Sequence, residues 1–210
     1  MIGIFGGAFD PVHRGHLALA TAAHQQLGLE SVRFIPLGVP PHRSQPQASA
    51  EFRVKLLRAA LEPYPEFEVD TLEVEKTSPS WTVETLEQLN QSMPEKTLCL
   101  LLGSDAFKPL NTWYRWRTLT DYCHIVVVSR KGDGQELDAE VADFLAEKRT
   151  ETLAEMSDGV SGRLLWLEAD VPELSSTQVR EQIAKGQSLT QYVPSAVAAL
   201  IKEYRLYGYG

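Results

Sequence analysis

Short apolar runs alternate with amphipathic stretches along the chain. Ile2–Phe5 reads as a short strand that stops at Gly6-Gly7. From about Arg14 to Leu27, the residues Leu17, Ala20, Ala23 and Leu27 recur at helical spacing and mark one buried face. Val32–Leu37 predicts a second strand, and a Pro-rich loop from Gly38 to Gln47 follows it. Glu51–Leu61 predicts a helix with Phe52, Leu56, Leu57 and Ala60 on its inner side. Phe67–Val74 alternates with one slip and predicts one bent strand or two short ones. Ser80 to about Gln91 is expected to be helical. Thr97–Leu102 is almost continuously apolar, as a strand covered on both faces in a parallel sheet must be. Short helical pieces through Trp113–Leu119 lead to a strand at His124–Ser129. Leu137, Val141, Phe144 and Leu145 fit a helix, and Arg163–Glu168 fits the last strand. Residues 150–162 are polar with Gly159 and Gly162 and predict a flexible connection, and Ser175–Lys185 and Pro194–Tyr204 predict the final helices.

This alternation predicts an α/β fold: a doubly wound, Rossmann-like parallel sheet with helices on both faces and a small C-terminal helical portion over about 172–210. A length of 210 residues fits one domain, 1–210. The net charge of -8 argues against a protein held on nucleic acid by bulk charge, but leaves room for a local anion site. The two cysteines, Cys99 and Cys123, lie in or beside core-like strands and read as small hydrophobes, not as a disulfide framework or metal site. No stretch approaches the ~20 apolar residues of a membrane span, and the N-terminus lacks a basic leader, so a cytoplasmic protein is expected.

Candidate chemistry gathers at two places. Gly6-Gly7-Ala8-Phe9-Asp10-Pro11-Val12-His13-Arg14-Gly15-His16 follows the first strand and opens the first helix. Glycines there let a backbone approach a phosphate, and a helix N-terminus adds N–H groups and partial positive charge. The spacing is neither a dinucleotide fingerprint nor a Walker loop. His13 and His16, three apart, can face the same way and donate to a phosphate under attack. Two other readings stay open: one histidine caps the helix while the other is exposed, or Asp10, His13 and His16 bind a metal. Leu174-Ser175-Ser176-Thr177-Gln178-Val179-Arg180 follows the last strand and opens a helix. Hydroxyls at a helix start suit an anion, and Arg180 lies one turn on; the same residues also suit an ordinary N-cap. Both helix starts follow sheet strands, so one triphosphate could lie across them.

Together these motifs resemble the His-x-Gly-His nucleotidyltransferase superfamily, with the match closest to the bacterial nicotinate-nucleotide adenylyltransferase family. Pro40-Pro41-His42-Arg43, Ser80-Trp81-Thr82, Thr85-Leu86, Gly103-Ser104-Asp105, Trp113-Tyr114-x-Trp116 and Tyr192-Val193-Pro194 resemble further segments of that family, in order, over residues 1–207. Ala8 stands where Ser or Thr is usual, Arg43 where Lys is usual, Trp81 where Tyr is usual and Leu174 where Ile is usual.

The resemblance implies transfer of AMP from ATP to nicotinate mononucleotide, giving deamido-NAD and pyrophosphate. It implies His13, His16 and Arg180 as catalytic residues. ATP would be bound by Gly6, Gly7, Ala8, Phe9, His13, His16, Arg43, Gly103, Asp105, Ser176, Thr177 and Arg180. Nicotinate mononucleotide would be bound by Thr82, Asp105, Trp113, Tyr114 and Arg130. Mg²⁺ would arrive with ATP, held by substrate and not by a protein metal site. No nucleic-acid or membrane partner is implied, and the oligomeric state, homodimer included, is not fixed. Alternatives are another small phosphorylated acceptor (nicotinamide mononucleotide or phosphopantetheine) or a non-catalytic nucleotide sensor. A class I aminoacyl-tRNA synthetase shares the first motif, but this chain is short, acidic and without a recognisable tRNA-binding appendage.

Overall fold

A computed structural model describes residues 1–40, 45–130, 137–157, 159 and 161–210. Its strands are β1 (Ile2–Gly7), β2 (Ser31–Pro36), β3 (Phe67–Val69), β4 (Leu98–Gly103), β5 (His124–Arg130), β6 (Arg149–Thr150) and β7 (Leu164–Ala169). Between and after them run helices α1 (Arg14–Leu27), α2 (Ala50–Leu61), α3 (Thr82–Ser92), α4 (Ser104–Phe107), α5 (Leu119–Tyr122), α6 (Ala139–Ala146), α7 (Leu153–Ser157), α8 (Ser176–Ala184) and α9 (Ser195–Glu203). One seven-stranded sheet has the order β3-β2-β1-β4-β5-β7-β6. β1 pairs in parallel with β4, β4 with β5, β5 with β7, and β7 with β6. This is the expected α/β, Rossmann-like architecture. The order reverses between β1 and β4, and sheets of this kind receive ligands outside the strand carboxyl ends at such a reversal.

The chain divides into two compact units. One comprises Met1–Phe5, Leu19–Arg33 and Trp81–Asp170; the other comprises Gly6–Ala18, Phe34–Ser80 and Val171–Gly210.

In the first unit, Leu98 to Leu101 and Ile125 to Val127 are at most 1% exposed, which is why their sequence shows no polar alternation. Cys99 and Cys123 are buried free thiols; burial pushes the Cys99 thiol up to about 12, and that of Cys123 upward as well. His124 is a buried structural histidine: its Nδ1 accepts from the Arg163 N–H and its Nε2 meets the Gly159 carbonyl, each at 3.1 Å. The stretch 150–162, expected to be irregular, carries the end of β6 and all of α7. These elements are shorter than any periodicity can register.

In the second unit, a file of rings (Phe9, Phe34, Phe67, Tyr64) packs at centroid spacings of 5.6, 5.5 and 5.0 Å. The expected strand 67–74 ends at Val69. Asp70 Oδ1 accepts from the Leu72 N–H and Glu75 N–H bonds to the Thr71 carbonyl, so local polar groups turn the chain. Gly38 lies against that turn; a Cβ there would stand 2.1 Å from the Glu73 carbonyl oxygen. On α2 the inner face is Val54, Leu56, Leu57, Ala60 and Leu61 together with Arg53, whereas Phe52 sits partly exposed against Tyr204.

Candidate functional site

The second unit holds both end motifs. After β1 the chain turns at Phe9, whose φ is +47°, and passes through a cis Asp10-Pro11 peptide. Gly7 permits the turn, because a Cβ there would meet the Phe9 ring at 3.1–3.3 Å. Phe9, 1% exposed, sets its ring edge-on to His16 at 5.0 Å. The His13 and His16 rings stack at 3.6 Å between centroids and 22° between planes. Gly15 makes room for the stack: a Cβ there would stand 3.1 Å from His13 Nδ1 and 3.4 Å from the Pro172 carbonyl oxygen. The start of α1 is docked through Arg14, whose N–H bonds to the Tyr192 carbonyl at 2.9 Å and whose Nε bonds to the Thr190 carbonyl at 3.1 Å.

The electrostatics keep both imidazoles neutral. Burial lowers His13 to about 4, and burial together with the His13 neighbour holds His16 well below the ordinary range. The His13 N–H donates to His16 Nδ1 at 3.1 Å, so the neutral His16 ring carries its proton on Nε2. His13 Nδ1 is buried with no partner among the described residues.

The C-terminal motif comes to the same loop. Arg180 Nη1 donates to the Asp10 carbonyl at 2.7 Å and lies 3.7 Å from Asp10 Oδ2, and Arg180 Nη2 donates to Thr177 Oγ1 at 3.1 Å. Ser176 Oγ donates to the Pro11 carbonyl at 2.9 Å. Ser175 forms a capping box with Gln178, its hydroxyl accepting from the Gln178 N–H while Gln178 Oε1 accepts from the Ser175 N–H. The two readings of Ser-Ser-Thr therefore divide by residue: Ser175 caps α8, while Ser176 and Thr177 join the loop and the guanidinium.

Asp10 anchors the loop through both oxygens of its carboxylate. Its Oδ2 accepts from the Gln47 N–H at 2.7 Å and its Oδ1 from the Ala48 N–H at 3.0 Å. Among the described residues no group of three or more His, Cys, Asp or Glu is placed to hold a metal ion. Sequence reasoning missed Arg53, 2% exposed on α2, which donates to the Ala8 carbonyl at 2.8 Å and the Leu37 carbonyl at 2.7 Å. Gly6 is open, with nothing within 4 Å of a Cβ position, so packing does not account for that glycine. Arg43, with Pro41, His42 and Ser44 of the same predicted loop, lies outside the described residues.

The first unit holds the other candidates. Gly103 ends β4 and Asp105 lies exposed in the first turn of α4. Thr82 opens α3, where Trp81 takes the N-cap position and makes no side-chain cap. Trp113 is partly exposed and Tyr114 is 47% exposed, the Tyr114 ring lying 4.8 Å from that of Trp81. Trp116, by contrast, is core, edge-on to Phe144 at 4.9 Å. Arg130 ends β5 and is partly exposed.

Comparison with known proteins places this arrangement. Residues 4–182 match the family described as Cytidylyltransferase-like. A protein of Aeromonas hydrophila named "Probable nicotinate-nucleotide adenylyltransferase" is 41% identical over 207 residues, covering 98% of this chain and 96% of the relative. A protein of the same name from Dechloromonas aromatica is 38% identical over 210 residues, covering 98% and 97%. The chain belongs to the nicotinate-nucleotide adenylyltransferase family. Its fold is shared with the Plasmodium falciparum nicotinic acid mononucleotide adenylyltransferase complexed with NaAD, at a TM-score of 0.75 and 16% identity over 100% of this chain and 98% of that one. Within this adenylyltransferase family fold, the end motifs that resembled the superfamily are the segments joined by Arg180 and Ser176. No helix among the described residues is long and apolar enough to cross a membrane.

Proposed function

We propose that this protein transfers AMP from ATP to nicotinate mononucleotide, releasing pyrophosphate and forming deamido-NAD. The observation that carries the reading is the convergence of Ser176 and of Arg180, which also bonds to Thr177, on the loop that presents the stacked neutral histidines. A phosphate oxygen of the mononucleotide attacks the α-phosphorus of ATP. The new O–P bond forms as the bond to the β-phosphate oxygen breaks, and pyrophosphate leaves with that electron pair. The attacking monoester has a second pKa of about 6, so it is already ionised at neutral pH and no protein base is needed. The protein's task is alignment and charge stabilisation. His16 donates from Nε2–H, the only nitrogen its bond with the His13 backbone leaves protonated, and His13 lies against it. Thr177 accepts from Arg180, so its own hydroxyl proton is left to donate to a phosphate oxygen. Gly6, Gly7, Ala8 and Phe9 line the approach; Arg43, Gly103 and Asp105 complete the ATP contacts in this reading. Mg²⁺ would enter as part of the ATP substrate and would offset the negative charge of its phosphates.

For the acceptor, Thr82 opens a helix without a side-chain cap, a setting suited to a carboxylate. Trp113 and Tyr114 offer accessible aromatic surface to a pyridine ring, and Arg130 is assigned to the mononucleotide phosphate. The compartment of this chemistry is the cytoplasm. The test is an acceptor comparison with ATP–Mg²⁺: nicotinate mononucleotide, nicotinamide mononucleotide and phosphopantetheine, with pyrophosphate release as the readout. The acid is expected to lead by at least about tenfold, about 1.4 kcal/mol. A lead by phosphopantetheine would replace the acceptor, and ATP binding without pyrophosphate release would make the protein a sensor.

A further inference from the structure

Arg53 is a cation inside the second unit, 2% exposed, and its two bonded acceptors among the described residues are neutral main-chain carbonyls. Its Nε is buried and has no partner among the described residues. Burial pushes its pKa down, while the nearby Asp10, Tyr207 and Glu73 pull it up. Burying a guanidinium is costly, and two carbonyl acceptors return little of that cost as stability. What the arrangement supplies is geometry. The two carbonyls belong to the turn after β1 and to the residue just after β2, and Leu37 is also tied to the first turn by its N–H to the Gly7 carbonyl at 2.8 Å. Ala8 brings no hydroxyl, so the loop meets an anion with backbone N–H groups. A trans peptide is planar, with its C=O and N–H pointing opposite ways. Turning the Ala8 carbonyl onto Arg53 therefore turns the Phe9 N–H away from it.

We propose that Arg53 is a positioning residue for the nucleotide: it acts through the Ala8 and Leu37 carbonyls to fix the peptide planes of the loop 6–9, without touching substrate. The inference rests on the reading that this loop receives ATP phosphates.

The experiment compares the full chain with Arg53→Lys and Arg53→Gln, neither of which can bridge both carbonyls as a planar fork does. Binding of ATP–Mg²⁺ is measured by calorimetry without any acceptor, beside thermal midpoints and steady-state KM values for both substrates. The expected result is a folded variant whose dissociation constant for ATP rises by about tenfold or more, while KM for nicotinate mononucleotide moves by less than about twofold. Three results overturn the proposal: unchanged ATP affinity in a folded variant, equal weakening of both substrates, or failure of both variants to fold, which would assign Arg53 to stability alone. A wild-type protein that binds ATP–Mg²⁺ but makes no deamido-NAD refutes the acceptor reading; the role of Arg53 is then still decided by the calorimetry.

Discussion

His13 ties the chemistry of the site to the stability of the fold through a proton. Its side chain is 4% exposed, and burial lowers its pKa from 6.5 to about 4. In the unfolded chain the same ring titrates near 6.5. Between these values the unfolded state holds more protons than the folded one, so stability must rise with pH across the window and fall as the solution is acidified. The contribution is fully present above pH 6.5. It is lost progressively toward pH 4: the linkage relation gives about 2 kcal/mol lost by pH 5 and about 3 kcal/mol by pH 4. For a chain of this size, about 2 kcal/mol lowers the thermal midpoint by roughly 4–8 °C.

The assay is urea unfolding of the wild type and of His13→Asn over a series from about pH 8 to pH 4.5. Asparagine fills part of the same space and does not titrate. The wild type should show the steeper fall, and the difference between the two curves should open between pH 6.5 and 4. His16 adds to the wild-type slope in the same direction, because its pKa is also lowered, first by burial. It remains in the variant, so it does not enter the difference except through its contact with His13. Parallel curves for the two proteins would show that His13 is not held neutral by burial, and the picture of a neutral donor pair would fail with it.

Three further outcomes are expected. His16→Ala should reduce kcat by about 10²–10³, roughly 2.7–4 kcal/mol of transition-state stabilisation, with ATP affinity little changed; equal losses in both would show that the ring only holds ATP. Gly15→Ala puts a methyl 3.1 Å from His13 Nδ1; helix propensity alone would favour the alanine, so kcat should fall roughly ten- to hundredfold without loss of thermal stability, and an unchanged kcat would contradict the assigned packing. Asp10→Ala removes the acceptor of the Gln47 and Ala48 N–H groups and the carboxylate beside Arg180. Because the Arg180 side chain is 22% exposed, the low end of the usual range applies, about 3 kcal/mol; a change in the urea-derived stability below about 1 kcal/mol would mean that Asp10 does not anchor the loop.

What the sequence made legible follows from how each feature is encoded. β4 was readable because a strand covered on both faces must be apolar at every position, and Leu98 to Leu101 are. The stretch after Val69 was not, since the turn there depends on Asp70 and Thr71 bonding to the chain a few residues on, which defeats a pattern of alternation. The two end motifs could be found from residue types alone, yet not how they meet: Asp10 in the first motif lies 170 residues from Arg180. Arg53 was hidden for a related reason. Within Glu51-Phe52-Arg53-Val54-Lys55 an arginine reads as part of the solvated side, and Phe52 as part of the core. The reverse is true because Arg53's acceptors come from Ala8, 45 positions earlier, and Leu37, 16 positions earlier.

The spacing of the first motif becomes a single physical requirement once these contacts are combined. The two imidazoles, three residues apart, stack beside a residue that projects nothing: a Cβ at Gly15 would stand only 3.1 Å from His13 Nδ1 and would press on the stack. Stacked and buried, neither ring easily takes a second proton: burial disfavours the charge on both, and the His13 neighbour disfavours it further on His16. A neutral ring donates from one nitrogen only, so its tautomer decides whether it is useful. The His13 N–H settles that for His16 by engaging Nδ1, and it can do so because the helix has only just begun and that N–H has no carbonyl four residues back to bond. A charged imidazole would bind ATP in its ground state and gain less as the reaction proceeds. A neutral donor with a fixed proton gains strength as negative charge builds on the oxygen it faces, which is the difference that accelerates the chemical step.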